Sequence, residues 1–122
     1  MTLDRTKIRV PNGVLFISDP QGGKMPEPVR GAMFLATPSC IGFGCKIDCE
    51  GETEIVMGPA RGFGRHDAPA FQGTLATPNR AVVVSTTDKR AVLKTSVSTA
   101  STHLAIWVNN PTEPDKVMIG LE

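Results

Sequence analysis

The chain has no tyrosine and one tryptophan, and its thirteen basic side chains almost cancel its twelve acidic ones, leaving a formal net charge of +1. Nucleic-acid binding draws on a basic field and on aromatic rings that stack on bases, so this composition speaks against such a partner. Long apolar runs are missing too. The longest, Ala32 to Ala36 and Leu104 to Val108, hold five residues each, against about twenty needed for a helix to cross a bilayer, so no membrane is expected. The opening segment, Met1 to Val10, is charged and lacks the apolar core of a secretory signal, which predicts a cytoplasmic location.

Helical periodicity is also absent. Between residues 80 and 121 no window sustains apolar residues at i, i+3, i+4 and i+7, whereas β-branched residues and turn formers abound. No hydroxyl follows Gly22-Gly23-Lys24, and Pro26 and Pro28 forbid the helix that a phosphate loop runs into, so nucleotide hydrolysis is excluded. The closely spaced histidine pair of a metal-dependent cupin does not occur. Cys40, Cys45 and Cys49 provide three thiols where a structural zinc site wants four ligands, and His66 and His103 are not at paired spacing, so neither a metal nor a cofactor is expected. Cys45 and Cys49, if on one extended strand, lie roughly 13 Å apart, too far for a disulfide. Cys45 falls on an apolar face and reads as a small core residue, in keeping with a reducing cytosol.

What is present is punctuation. Twelve glycines and ten prolines interrupt a chain that is 40% hydrophobic, a pattern of many turns around a folded core rather than of disorder. At 122 residues the length suits a single β-sandwich domain spanning 1–122. Alternation bounded by turn formers predicts strands near 6–10, 14–18, 30–36, 41–48, 53–57, 71–76, 81–86, 91–97, 104–109 and 117–121. Some of these are expected to merge, leaving about seven to nine short antiparallel strands and no substantial helix. The fold class is all-β, an antiparallel sandwich or a jelly-roll-like variant, ahead of a closed barrel.

Three hairpins are predicted. Asp48 to Gly51 would join 41–47 to 53–57, Thr87 to Lys89 would join 82–84 to 92–97, and Asn109 to Pro114 would lead into the last strand. Leu35-Ala36-Thr37-Pro38 returns as Leu75-Ala76-Thr77-Pro78. This is either a duplicated strand, corner and hairpin unit or two independent uses of Thr-Pro at a sheet corner. Val14 to Ile17 and Val82 to Val84 are apolar on both faces, as in central strands or in a sheet face buried by a second copy, so a homo-oligomer is one expectation.

Two breaker-rich loops, Asp19 to Val29 and Gly58 to Ala70, are the places to look for a site. The second gathers Arg61, Phe63, Arg65, His66 and Asp67, which could grip a carboxylate or phosphate, or else form a solvated loop anchored by Phe63. A Cys-His-Asp enzyme built from a thiol with His66 and Asp67 has only the presence of those residue types behind it. Trp107 is the other candidate. If Leu104, Ile106 and Val108 face the core, Trp107 points the other way, either as the anchor of a binding surface or beneath a further cover; the reverse register would put it in the core.

The closing pattern, a strand with a single tryptophan, a turn region and a short terminal strand, resembles that of the small sandwich proteins of the competence protein J type. The resemblance implies inhibition of a partner nuclease or toxin, and no residue roles come with it. Together these signals predict a non-enzymatic module that binds another protein, as an inhibitor or immunity partner, through the long loops and Trp107. The alternative is a small-molecule or anion-binding module using the 58–70 loop through Arg61, Arg65 and His66.

Overall fold

Apolar residues that alternate along a strand must all find the same side, and here they do so on two sheets laid face to face. A computed structural model describes residues 3–27, 32–64 and 67–122. Each of the ten predicted runs forms its own strand, because a tight turn or loop separates every pair, and none merges. The first sheet has the order β1 (Asp4–Ile8), β5 (Thr53–Pro59), β10 (Lys116–Leu121), β9 (Ser101–Val108), β6 (Phe71–Ala76). The second has the order β3 (Phe34–Thr37), β4 (Cys40–Gly44), β2 (Val14–Ser18), β7 (Ala81–Thr86), β8 (Ala91–Ser96). The all-β sandwich is thus observed; its helical content among the described residues consists of short 3-10 turns at Pro11–Gly13, Asp48–Glu50 and Ala60–Phe63.

Leu15, Ile17, Ile41, Phe43, Val82 and Val84 of the second sheet meet Ile55, Met57, Leu104, Ile106, Val117 and Ile119 of the first, all buried in one continuous cluster. Each such side chain contributes about 1.5 to 3 kcal/mol by leaving water. At one side of the sandwich the Phe34 ring stacks on Phe43 at 5.5 Å and on Phe71 of the opposite sheet at 5.4 Å, joining β3 to β6.

Two hairpins form as predicted: β7 turns into β8 through Thr87 to Lys89, and β9 into β10 through Asn109 to Pro114. The first does not. β4 already has β3 on one edge and β2 on the other, so the chain crosses to the first sheet, where β5 pairs with β1 and, in parallel, with β10. The four-residue echo also divides. Pro38 turns the chain back within the second sheet, whereas Pro78 sends it from β6 across to β7. The two copies share corner chemistry instead of a repeated unit. Thr37 donates its hydroxyl to the Lys24 carbonyl at 2.5 Å, Thr77 to the Thr99 carbonyl at 2.8 Å, and the Ala76 N–H donates to the Pro38 carbonyl at 2.8 Å.

The outer face of the second sheet is not bare. Residues 19–27 lie across it, with Pro26 close to Gly42 and Phe16. Gly23 sits so tightly on Ser39 that a Cβ would overlap the Ser39 backbone. One end of this strap is clasped by Asp19, a 2% exposed carboxylate. It accepts bonds from the Asn79 N–H at 2.8 Å, the Asn79 side-chain amide at 2.6 Å and the Gln21 N–H at 3.0 Å. Burial works against its charge, but the bonds from Asn79 and Gln21, with Lys94 nearby, prevail and hold it below the usual carboxylate range.

A depressed folded-state value means that the clasp stabilises above the unfolded carboxylate's pKa, near 3.8, and that this contribution is lost as pH falls through the lower folded value. Asp19→Ala should cost roughly 1.5 to 3 kcal/mol at neutral pH, the scale of hydrogen bonds to a charged acceptor. Urea titrations should show the gap from the wild type constant between pH 6 and 8 and shrinking below pH 4; a gap that persists at pH 2 would mean the carboxylate charge plays no part.

Candidate functional site

On the first sheet the outward row runs Arg5, Val56, Met118, Trp107 across β1, β5, β10 and β9. Leu104 and Ile106 are fully buried and Val108 packs against the same cluster, so the predicted register holds and Trp107 points away from the core. It is nonetheless only 8% exposed. The loop after β5 folds back over it as a second strap. The Trp107 indole N–H donates to the Asp67 carbonyl at 3.0 Å, and the Phe63 ring lies 6.2 Å from the Trp107 ring at a tilt of 43°. The Ala70 N–H closes the strap by donating to the Ile106 carbonyl at 2.8 Å.

The strap can come this close because the sheet beneath it is stripped of side chains at one point. A Cβ on Gly120 would stand 3.0 Å from Ala60 and 3.1 Å from the Trp107 ring, tighter than ordinary contact, so glycine in mid-strand marks a close approach. Of the predicted site residues, Trp107 and Phe63 come together here, while Arg61 lies exposed on the 3-10 turn near Pro59 and Leu121. Arg65 and His66 lie outside the described residues. Phe63 is half-buried and tucks onto Trp107, as the anchored-loop reading predicted. Beside the strap a groove of about 410 Å³ is lined by Phe34, Ala68, Trp107, Val108 and Asn110, among others. Sequence reasoning missed Phe34, Ala68 and Asn110, whose approach depends on sheet pairing.

The thiols are poorly suited to nucleophilic chemistry. Burial pushes Cys45 up to about 11, with the neighbouring Thr53 hydroxyl acting in the opposite sense, and burial also raises Cys40. A nucleophile needs the reverse shift. All three cysteines are free and only Cys49 is exposed. Among the described residues no three His, Cys, Asp or Glu side chains gather as metal ligands, and no helix is long and apolar enough to cross a membrane.

No protein-family model and no curated protein matches this chain. Among solved structures it is similar to ComJ, the inhibitor of the DNA degrading activity of NucA from Bacillus subtilis, with a TM-score of 0.64 at 8% identity over 97% of this chain and 93% of that one. It is also similar to the structure described as crocagin biosynthetic gene J, with a TM-score of 0.56 at 13% identity over 98% and 96% of the two chains. At such identities the likeness is one of fold.

Trp107→Ala should cost about 3 to 5 kcal/mol, the range for a buried large aromatic. Gly120→Val should displace the strap while the core survives; amide exchange would then quicken at Ala70, whose N–H closes it, and stay slow at Ile55 and Val117. Protection unchanged at Ala70 would show that the strap does not rest on that contact. With a maleimide at pH 7 the native protein should label at Cys49 alone and the unfolded chain at all three thiols, whereas rapid native labelling of Cys45 would reinstate a thiol nucleophile.

Proposed function

We propose that this chain is a protein-binding module that acts by occupying a partner protein, in the manner of an inhibitor or immunity protein. The observation that carries the reading is the whole-length likeness to ComJ, a structure described as an inhibitor of a nuclease. The chemistry of the chain supports the same reading. Two raised, buried thiols do not favour covalent catalysis. A rigid two-layer scaffold carries straps on both outer faces, and loops held by such scaffolds are common interaction surfaces. Aromatic rings beside the groove at Trp107 and Phe34 are the residue type enriched where partners anchor. Two buried free cysteines fit action in a reducing compartment, the cytoplasm.

The test is capture followed by inhibition. A tagged chain is incubated with nuclease-treated lysate and washed at low and high salt, and any stoichiometric protein retained is purified and assayed with and without the chain. The expected result is one partner that survives the high-salt wash and loses activity on titration with the chain. A partner-free eluate, or a partner whose activity is untouched, would overturn the inhibitor reading. The Arg61→Ala variant separates the alternative of an anion grip on the 58–70 loop. Stabilisation by inorganic phosphate or citrate in the wild type, lost in that variant, would favour the grip.

A further inference from the structure

The second sheet carries a surface whose character differs from that of the Trp107 strap. Between residues 19–25 and the β7–β8 hairpin lies a groove of about 470 Å³, walled by Phe16, Met25, Val83 and Ala91. Met25 is 52% exposed, one of two large hydrophobic side chains that are exposed among the described residues. An apolar side chain held half in water at the lip of an apolar groove has a cost that a docking partner would remove.

The rim is basic. Lys89 lines the groove, Lys94 stands opposite Val83 on the same face of the sheet, and Lys24 and Arg90 are exposed beside Met25 and Lys89. Two carboxylates lie nearby, Asp19 close to Lys94 and Asp88 close to Arg90. Asp19 is buried and bonded to Asn79 and Gln21, and Asp88 accepts the Thr86 hydroxyl. The ion pairs Lys46–Asp115 and Lys116–Glu54 lie elsewhere, about the start of β10. Lys24, Lys89, Arg90 and Lys94 against Asp19 and Asp88 leave this rim net positive in a chain of net charge +1. The strap that forms one wall is fixed by the Asp19 clasp and by the Lys24 N–H bonded to the Ser39 hydroxyl at 2.8 Å, so the groove exists before anything enters it.

We infer that this groove docks an acidic segment of a partner protein, whose carboxylates meet Lys89, Lys94, Lys24 and Arg90 while an apolar side chain enters between Phe16, Met25 and Val83. The inference rests on the protein-binding reading and specifies the partner's chemistry: surface carboxylates around an apolar anchor. Charge complementarity of this kind sets orientation and speeds encounter, and it weakens with salt.

The probe is a short capped peptide of Glu and Asp with a central Leu and Phe, titrated into isotopically labelled protein and followed by amide shifts. Saturable shifts are expected at Phe16, Met25, Val83 and Lys89, with affinity falling as salt rises. The double variant Lys89→Glu, Lys94→Glu should weaken binding by about tenfold or more, and because Lys94 also supports the Asp19 charge, the single variant Lys89→Glu, at an exposed side chain, should weaken binding with core resonances unmoved. Equal shifts from free glutamate would overturn the proposal in favour of a small-anion site. Equal shifts from a Lys-based peptide, or shifts confined to the Trp107 strap, would overturn it outright. Captured partner retained undiminished by the double variant would remove this surface while leaving the protein-binding reading intact; failure to capture any partner, with the peptide still bound here, would do the reverse.

Discussion

Both sheets contain strands that are apolar on two sides, and that constraint governs everything outside the core. Val82, Val83 and Val84 are all buried although they cannot all face the same way, and so are Ile55, Val56 and Met57. Packing the sheets against each other satisfies only one side of each. The other sides need a cover, and the chain supplies it from its own loops: residues 19–27 over the second sheet, the loop after β5 over the first. Loops that lie flat on a sheet must avoid side chains beneath them and use residues that bend, which accounts for Gly42 and Gly120 under the straps and for the glycines and prolines within them. A composition that looks like an excess of turns is in part the composition of two lids.

That view explains which features could be read from the residues and which could not. Strand positions depend on local alternation and turn chemistry, so all ten were legible, as were the hairpin at Thr87 to Lys89 and the connection through Asn109 to Pro114. The Asp48 to Gly51 turn misled because its local chemistry suits a hairpin. What forbids one is that both edges of β4 are taken, by β3 and by β2, and β2 lies far upstream in sequence. The parallel contact of β5 with β10 is non-local in the same sense, with four strands between them in the chain. The Leu-Ala-Thr-Pro echo shows the converse. Identical residues solve the same corner problem twice, in both cases with a threonine hydroxyl on a loop carbonyl, while the chain reaches the two corners from different sheets.

The candidate site was legible to a similar depth. Alternation left two registers for Trp107 on β9, one outward and one in the core, and the breaker-rich loop with an aromatic in it offered an anchored cover. That Phe63 and Trp107 meet needed the loop's path, and the Asp19 to Asn79 clasp links residues sixty positions apart, so no spacing rule reaches it. Nor does spacing reveal the basic rim of the second groove. Arg90 and Lys94 share a hairpin, but Lys24 joins the same outer face only because the first strap crosses the sheet, tied there to Ser39.

The straps thus serve both as cover for the core and as the outward surface, and the two roles differ in their chemistry. Trp107, Gly120 and Asp19 hold straps to sheets through close contact and hydrogen bonds inside the molecule, so altering them changes stability whatever they do for a partner. Lys89 is exposed and pins neither strap, so altering it leaves the scaffold standing, whereas Lys94, also exposed, lends its charge to the Asp19 clasp. Fold-level likeness at 8% and 13% identity is what such a division permits. Core positions need only stay apolar, while exposed charges are free to diverge without changing the fold.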